Sequence, residues 1–121
     1  MPLLRGEVYL MKDGGGSDSK PRPIAIVSRS DLNRGYSVTI VPFTTQKFAE
    51  RCDLEYCVPF YENESGISRN SIAKCDEVTR IPIDMINLKR GPIGTLEPHR
   101  LQEIIDAVGW SLGLSIKPAK K

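Results

Sequence analysis

Lys20-Pro-Arg-Pro-Ile-Ala-Ile-Val-Ser28 and Thr39-Ile-Val-Pro-Phe-Thr-Thr-Gln46 are the stretches whose reading decides the fold. In the first, Ile24 to Val27 is apolar at every position, the signature of a central strand buried on both faces. At the second, Val38 to Phe43, beginning one residue before the quoted stretch, reads as a strand that runs out into hydroxyl and amide side chains. Pro42 has no amide to donate, so the ladder is predicted to be interrupted, or at an edge, at that residue. Both runs end in groups suited to a phosphate: Arg22 opens one strand, and Thr44 and Thr45 close the other. Pro21 and Pro23 stiffen the backbone on either side of Arg22, and a guanidinium can grip a phosphate through two parallel hydrogen bonds.

Outward from these runs the chain reads as short strands. Val8 to Met11 is a first strand, and Ser30 to Gly35 a turn or a short helical turn. Residues 53 to 60 alternate, with Leu54, Tyr56, Val58 and Phe60 on one face and Asp53, Glu55 and Cys57 on the other, which predicts a half-buried strand. Glu62 to Gly66 is a turn, and Ser71 to Cys75 and Val78 to Ile83 are further strands. Near the C-terminus the period changes. Leu101, Ile104, Ile105, Val108 and Leu112 recur at helical spacing, with Thr95 as a possible cap, Pro98 in the first turn and Gly113 as the stop. The fold class is therefore mainly β, a small curved antiparallel sheet closed by one amphipathic helix.

With 121 residues the chain is expected to form one domain over residues 1–121, large enough to bury a core without staples. A net charge of +2 excludes a strongly basic arm but allows a local basic patch. Cys52, Cys57 and Cys75 are odd in number, have no histidine nearby and fit no zinc spacing, so no metal or other cofactor is expected. The start, Met1-Pro-Leu-Leu-Arg-Gly, lacks a long apolar stretch; a cytoplasmic protein with no membrane association is predicted. Asp13 to Lys20, with Gly14-Gly-Gly16, reads as an exposed loop; it has neither the spacing nor the terminal Lys-Ser/Thr of a phosphate-binding P-loop. Lys117 to Lys121 reads as a frayed basic end.

Lys74 and Asp76 lie two residues apart. On a strand they would share a face, about 7 Å apart, and could flank one phosphodiester. The alternative is an ion pair on a solvated face, worth little. Cys75 between them should be buried. His99 falls in the first turn of the helix, where a surface position is expected, and Trp110 reads equally as an interface or an exposed aromatic.

Five short stretches, in order, resemble the PemK/MazF family of toxin endoribonucleases. They are Arg5-Gly-Glu-Val-Tyr9, Arg22-Pro-Ile-Ala-Ile-Val27, Val41-Pro-Phe-Thr-Thr-Gln46, Lys74-Cys-Asp-Glu-Val78, and Ile93-Gly-Thr-Leu with the helix ending Ser111-Leu-Gly-Leu114. The resemblance spans residues 5–114. It implies an SH3-like small barrel with a C-terminal helix, a homodimer with RNA sites at the interface, metal-independent cleavage of single-stranded mRNA at short sequences, and a cognate antitoxin that blocks the groove. It also implies roles. Arg22 matches the family's active-site arginine, Thr44 its threonine, and Asp76 the carboxylate that some members use as general base. Lys74 stands where those members carry arginine. Lys20, Thr45, Gln46, Glu77 and Arg80 are the RNA-binding candidates beside them. Two alternatives stay open: a gyrase-poisoning toxin of the same fold, and a non-catalytic small-barrel module that binds RNA or protein.

Overall fold

A computed structural model of the chain describes residues 3–12 and 21–114. The glycine-rich loop, Lys20 and the basic C-terminal end therefore lie outside the described residues. Among the described residues, seven strands form one antiparallel sheet: β1 (Glu7–Leu10), β2 (Pro23–Ile26), β3 (Ser37–Thr44), β4 (Cys57–Phe60), β5 (Ser71–Lys74), β6 (Thr79–Pro82) and β7 (Gly94–Thr95). Their order is β4-β5-β3-β2-β1-β7, with β6 also paired to β3. Two helices accompany them, the single turn α1 (Phe48–Arg51) and the long α2 (Pro98–Ser111).

The apolar run of β2 is buried on both faces because the sheet has a core on each side. Ala25, Val41, Phe43, Val58 and Phe60 pack with Ile104 and Ala107 of α2 in the larger core. Ile24, Ile26, Val38 and Ile40 point the other way, into a second cluster with Leu3, Tyr9 and Ile86. Pro42 sits where its proline chemistry requires. β3 pairs with β6 as far as Ile40 and with β5 from Phe43, so Pro42 falls in the gap between two partners.

Some expectations are corrected. The predicted strand over 53–60 is only Cys57–Phe60, and α1 and a turn precede it. Cys57, assigned to the polar face, is fully buried. Its thiol behaves as a small hydrophobe, so the apparent alternation was not a two-faced pattern. α2 begins after Glu97, not at Thr95, which belongs to β7. Leu112 lies outside the helix core, 70% exposed. The stop is Gly113 as expected: φ is +91°, its amide donates to Trp110 O, and the Leu114 amide reaches back to Gly109 O.

One charged residue holds α2 to the sheet. Arg100 sits on the buried side of the helix with only 13% of its side chain exposed. Its Nε donates to Glu64 Oε2 at 2.6 Å, and its other nitrogens reach Glu103 and the Pro59 carbonyl. Its guanidinium carbon stands 4.0 Å from the Phe60 ring centroid. Helix, strand end and the turn at Glu64 are thereby tied at one point.

Candidate active site

Arg22 stands immediately before β2, and its carbonyl accepts from the Met11 amide at 3.0 Å. The β2–β3 register pairs Ile24 with Pro42, Ala25 with Val41 and Ile26 with Ile40. Continued by two residues, it sets Arg22 opposite Thr44. The strand pairing therefore brings together two residues that are 22 apart in sequence. Thr44 Oγ1 accepts from the Gln46 amide at 3.2 Å, which fixes the hydroxyl at the strand end and leaves its own proton to donate. Lys47 then takes a left-handed conformation, φ 54°, and turns the chain into α1.

Arg22, Thr44, Thr45 and Gln46 line one cavity of about 980 Å³. Its far wall comes from the segment Gly66–Ser71 and from Arg90 and Ile93. Arg69, Arg90, Ser68 and Ser71 are thus cavity residues that the sequence did not single out. Arg69, Arg90 and Ser68 lie in loops and Ser71 opens β5, positions where a cation or hydroxyl carries no periodic signal. Among the described lining residues there is no carboxylate and no imidazole. Such a surface offers guanidinium charge and hydroxyl donors to an anion.

The other sequence candidates lie elsewhere. β5 ends at Lys74, and Cys75–Glu77 is a 3₁₀ turn packed near α2, so Lys74 and Asp76 do not share a strand face. Cys57 and Lys74 are the last strand pair; the Cys75 amide adds one more bond in the same register, to Tyr56 O at 2.9 Å, before the chain enters the 3₁₀ turn. Lys74 Nζ pairs with Glu77 Oε2 at 2.6 Å, not with Asp76, and Asp76 is exposed. None of Lys74, Asp76 and Glu77 lines the cavity. Nor does Arg80, whose guanidinium is tied along β3 to Ser37 Oγ at 2.8 Å and Thr39 Oγ1 at 3.0 Å. Cys75 is buried as expected, and His99 is a surface residue 3.5 Å from Glu97. Trp110 is 38% exposed and stacks on Tyr56 with centroids 6.4 Å apart.

A curled antiparallel sheet with a C-terminal helix is also the fold of a family of toxins. Residues 4–112 match the family described as "PemK-like, MazF-like toxin of type II toxin-antitoxin system", and the chain belongs to it. The "Probable endoribonuclease MazF" of Mycolicibacterium smegmatis is 28% identical over 98 residues, covering 81% of this chain and 88% of that protein. The solved "Mycobacterium tuberculosis toxin MazF-mt6" superposes with a TM-score of 0.71 at 24% identity, over 90% of this chain and 98% of that one. A MazE–MazF structure from Deinococcus radiodurans gives 0.70 at 17% identity, over 95% of this chain and 99% of that one. At these identities the two structures speak for the fold.

Proposed function

We propose that this toxin is an endoribonuclease that cuts single-stranded RNA in the cavity between Arg22 and Thr44. The observation that carries the reading is their convergence, with Thr45 and Gln46, on one cavity lined by cations and hydroxyls. Family membership and the relative named as a probable endoribonuclease support cleavage over gyrase poisoning or binding alone.

In this reading the substrate supplies the nucleophile. The RNA 2′-oxygen attacks phosphorus, the 5′-oxygen leaves, and the products are a 2′,3′-cyclic phosphate and a 5′-hydroxyl. Negative charge accumulates on the phosphorane, where the Arg22 guanidinium and the Thr44 hydroxyl stabilise it. Arginine does not deprotonate in proteins, so Arg22 acts as a charge and not as an acid. The family resemblance makes Asp76 a general base, but Asp76 is absent from the cavity lining. The assignment therefore rests on Arg22 and Thr44, with protons exchanged with solvent. The chain would act as a homodimer, and its partner would be an antitoxin whose acidic segment covers the same cations; a neighbour of the same fold was solved "in complex with its cognate antitoxin".

Single-turnover cleavage of a long mixed-sequence transcript tests this assignment. Arg22→Ala should lower the rate about 100- to 1,000-fold, the usual cost of removing one such stabilising donor. Asp76→Asn should cut at close to the native rate. A 100-fold loss with folded Asp76→Asn, and little with Arg22→Ala, would return the chemistry to the 75–77 turn.

A further inference from the structure

The cavity holds two guanidiniums that the cleavage step does not use. Arg69 follows the turn at Gly66, Arg90 precedes β7, and both side chains line the cavity with Arg22. Their segments meet where two stretches of backbone pack directly against each other at two glycines. A Cβ at Gly66 would stand 2.0 Å from Ile93 O, and one at Gly94 would stand 2.1 Å from Ser65 O. Only glycine lets two backbones approach so closely. Each arginine is also held on a hydrogen-bonded turn. Ser71 Oγ donates to Arg69 O at 2.9 Å, the Glu62 amide donates to Asn70 Oδ1 at 2.8 Å, and the Arg90 amide donates to Asn87 Oδ1 at 3.1 Å. Two flexible side chains are thus carried to the same rim by stiff backbone.

Their charge is not neutralised within the described residues. Arg29 and Arg100 have carboxylate partners, whereas Arg22, Arg69 and Arg90 have none. No described acidic residue lines the cavity to compensate three guanidiniums. Like charges gathered around one concavity repel each other and focus a positive potential that favours a polyanion. Guanidinium geometry matches phosphate oxygens in pairs. We infer that Arg69 and Arg90 are positioning residues that hold the backbone phosphates flanking the scissile one, so that the site grips about three phosphates of single-stranded RNA. The inference rests on the proposed ribonuclease function. It adds that the flanking grip is independent of base identity, because guanidinium–phosphate contacts carry no sequence information.

Salt dependence of binding measures it. The probe is a fluorescent, randomised 12-nucleotide RNA with every 2′-hydroxyl replaced by fluorine, which cannot be cut through a 2′-oxygen. For single strands, log K falls with log salt by about 0.7 per phosphate neutralised. Wild type should therefore show a slope of roughly −2. Arg69→Gln and Arg90→Gln should each reduce its magnitude by about 0.7, and the double variant should leave about −0.7. Cleavage of a mixed transcript should need several-fold more RNA for half-saturation in either variant with maximal rate kept, while Arg22→Ala loses maximal rate as well as affinity. Slopes and half-saturation unchanged in folded Arg69→Gln and Arg90→Gln would overturn the inference. Failure of the underlying function looks different: wild type cuts no RNA although the probe binds with the slopes given above.

Discussion

Replacing Arg100 by methionine removes the single point at which α2, the end of β4 and the turn at Glu64 are tied. Methionine keeps an unbranched apolar stem against Phe60, so the perturbation is mainly of charge and hydrogen bonding. The Glu64 and Glu103 carboxylates then face each other without their shared cation, and the Pro59 carbonyl loses its donor. Removing one partner of a buried ion pair costs about 3–5 kcal/mol. Both glutamate side chains keep 29% exposure and regain some hydration. That lowers the expected loss to about 2–4 kcal/mol. For a chain of this size it corresponds to a fall in Tm of roughly 10 °C. Arg100→Lys keeps a charge but not the planar fork, and should fall between the two. Urea unfolding at pH 7 gives the free energies. Adding Glu64→Gln to Arg100→Met should recover part of the loss, because one uncompensated carboxylate disappears. The loop that leaves this anchor becomes the Gly66–Ser71 wall of the cavity, so half-saturation by RNA should also rise. A loss below about 1 kcal/mol, with no recovery in the double variant, would refute the argument and leave Arg100 as one more solvated surface pair.

Gly94→Ala should destabilise by at least about 1–3 kcal/mol, since its methyl group would meet backbone and not a movable side chain; urea unfolding measures it, while Gly35→Ala, with nothing within 4 Å, should be near neutral. Tyr9 gives a pH dependence. Burial, and then the neighbouring Glu7 that accepts its hydroxyl proton, push the phenol up from 10.0 to about 12. Above pH 10 the unfolded chain releases this proton while the folded chain keeps it, so stability should be flat below about pH 10 and fall as pH rises towards 12. The fall should be absent from the same titration of Tyr9→Phe. Finally, sedimentation at micromolar concentration should show a symmetric dimer; monomer alone at that concentration would contradict the proposed assembly.

What the sequence made legible follows from periodicity. Ile24–Val27 announced a strand buried on both sides, and both cores do meet there. Leu101, Ile104, Ile105 and Val108 announced the face by which α2 packs on the larger core. Arg22 and Thr44 were legible because each sits at the end of a recognisable strand, and strand pairing then set them opposite each other. The 48–56 region was not legible, because a left-handed Lys47 starts a one-turn helix that no repeat encodes. The shared face expected of Lys74 and Asp76 is lost for a related reason. A spacing of two means one face only while the strand lasts, and after Lys74 the chain winds into a 3₁₀ turn that no alternation announces. Arg69 and Arg90 were invisible because a backbone crossing at Gly66 and Gly94 brings them to the site. Arg100 did leave a signal: a charge within the apolar stripe of a helix needs a partner, and Glu103 stands three residues on.

The chemistry of the new RNA ends tests the central claim most directly. A purified transcript is digested by the wild-type protein in excess chelator, and the fragments are mapped by adaptor ligation with and without prior treatment of their ends. The 5′ ends should accept an adaptor only after phosphorylation, matched at the same bonds by 2′,3′-cyclic phosphates, within single-stranded stretches. Fragments with 5′-phosphates and 3′-hydroxyls, or no cutting at all by folded protein, would contradict it.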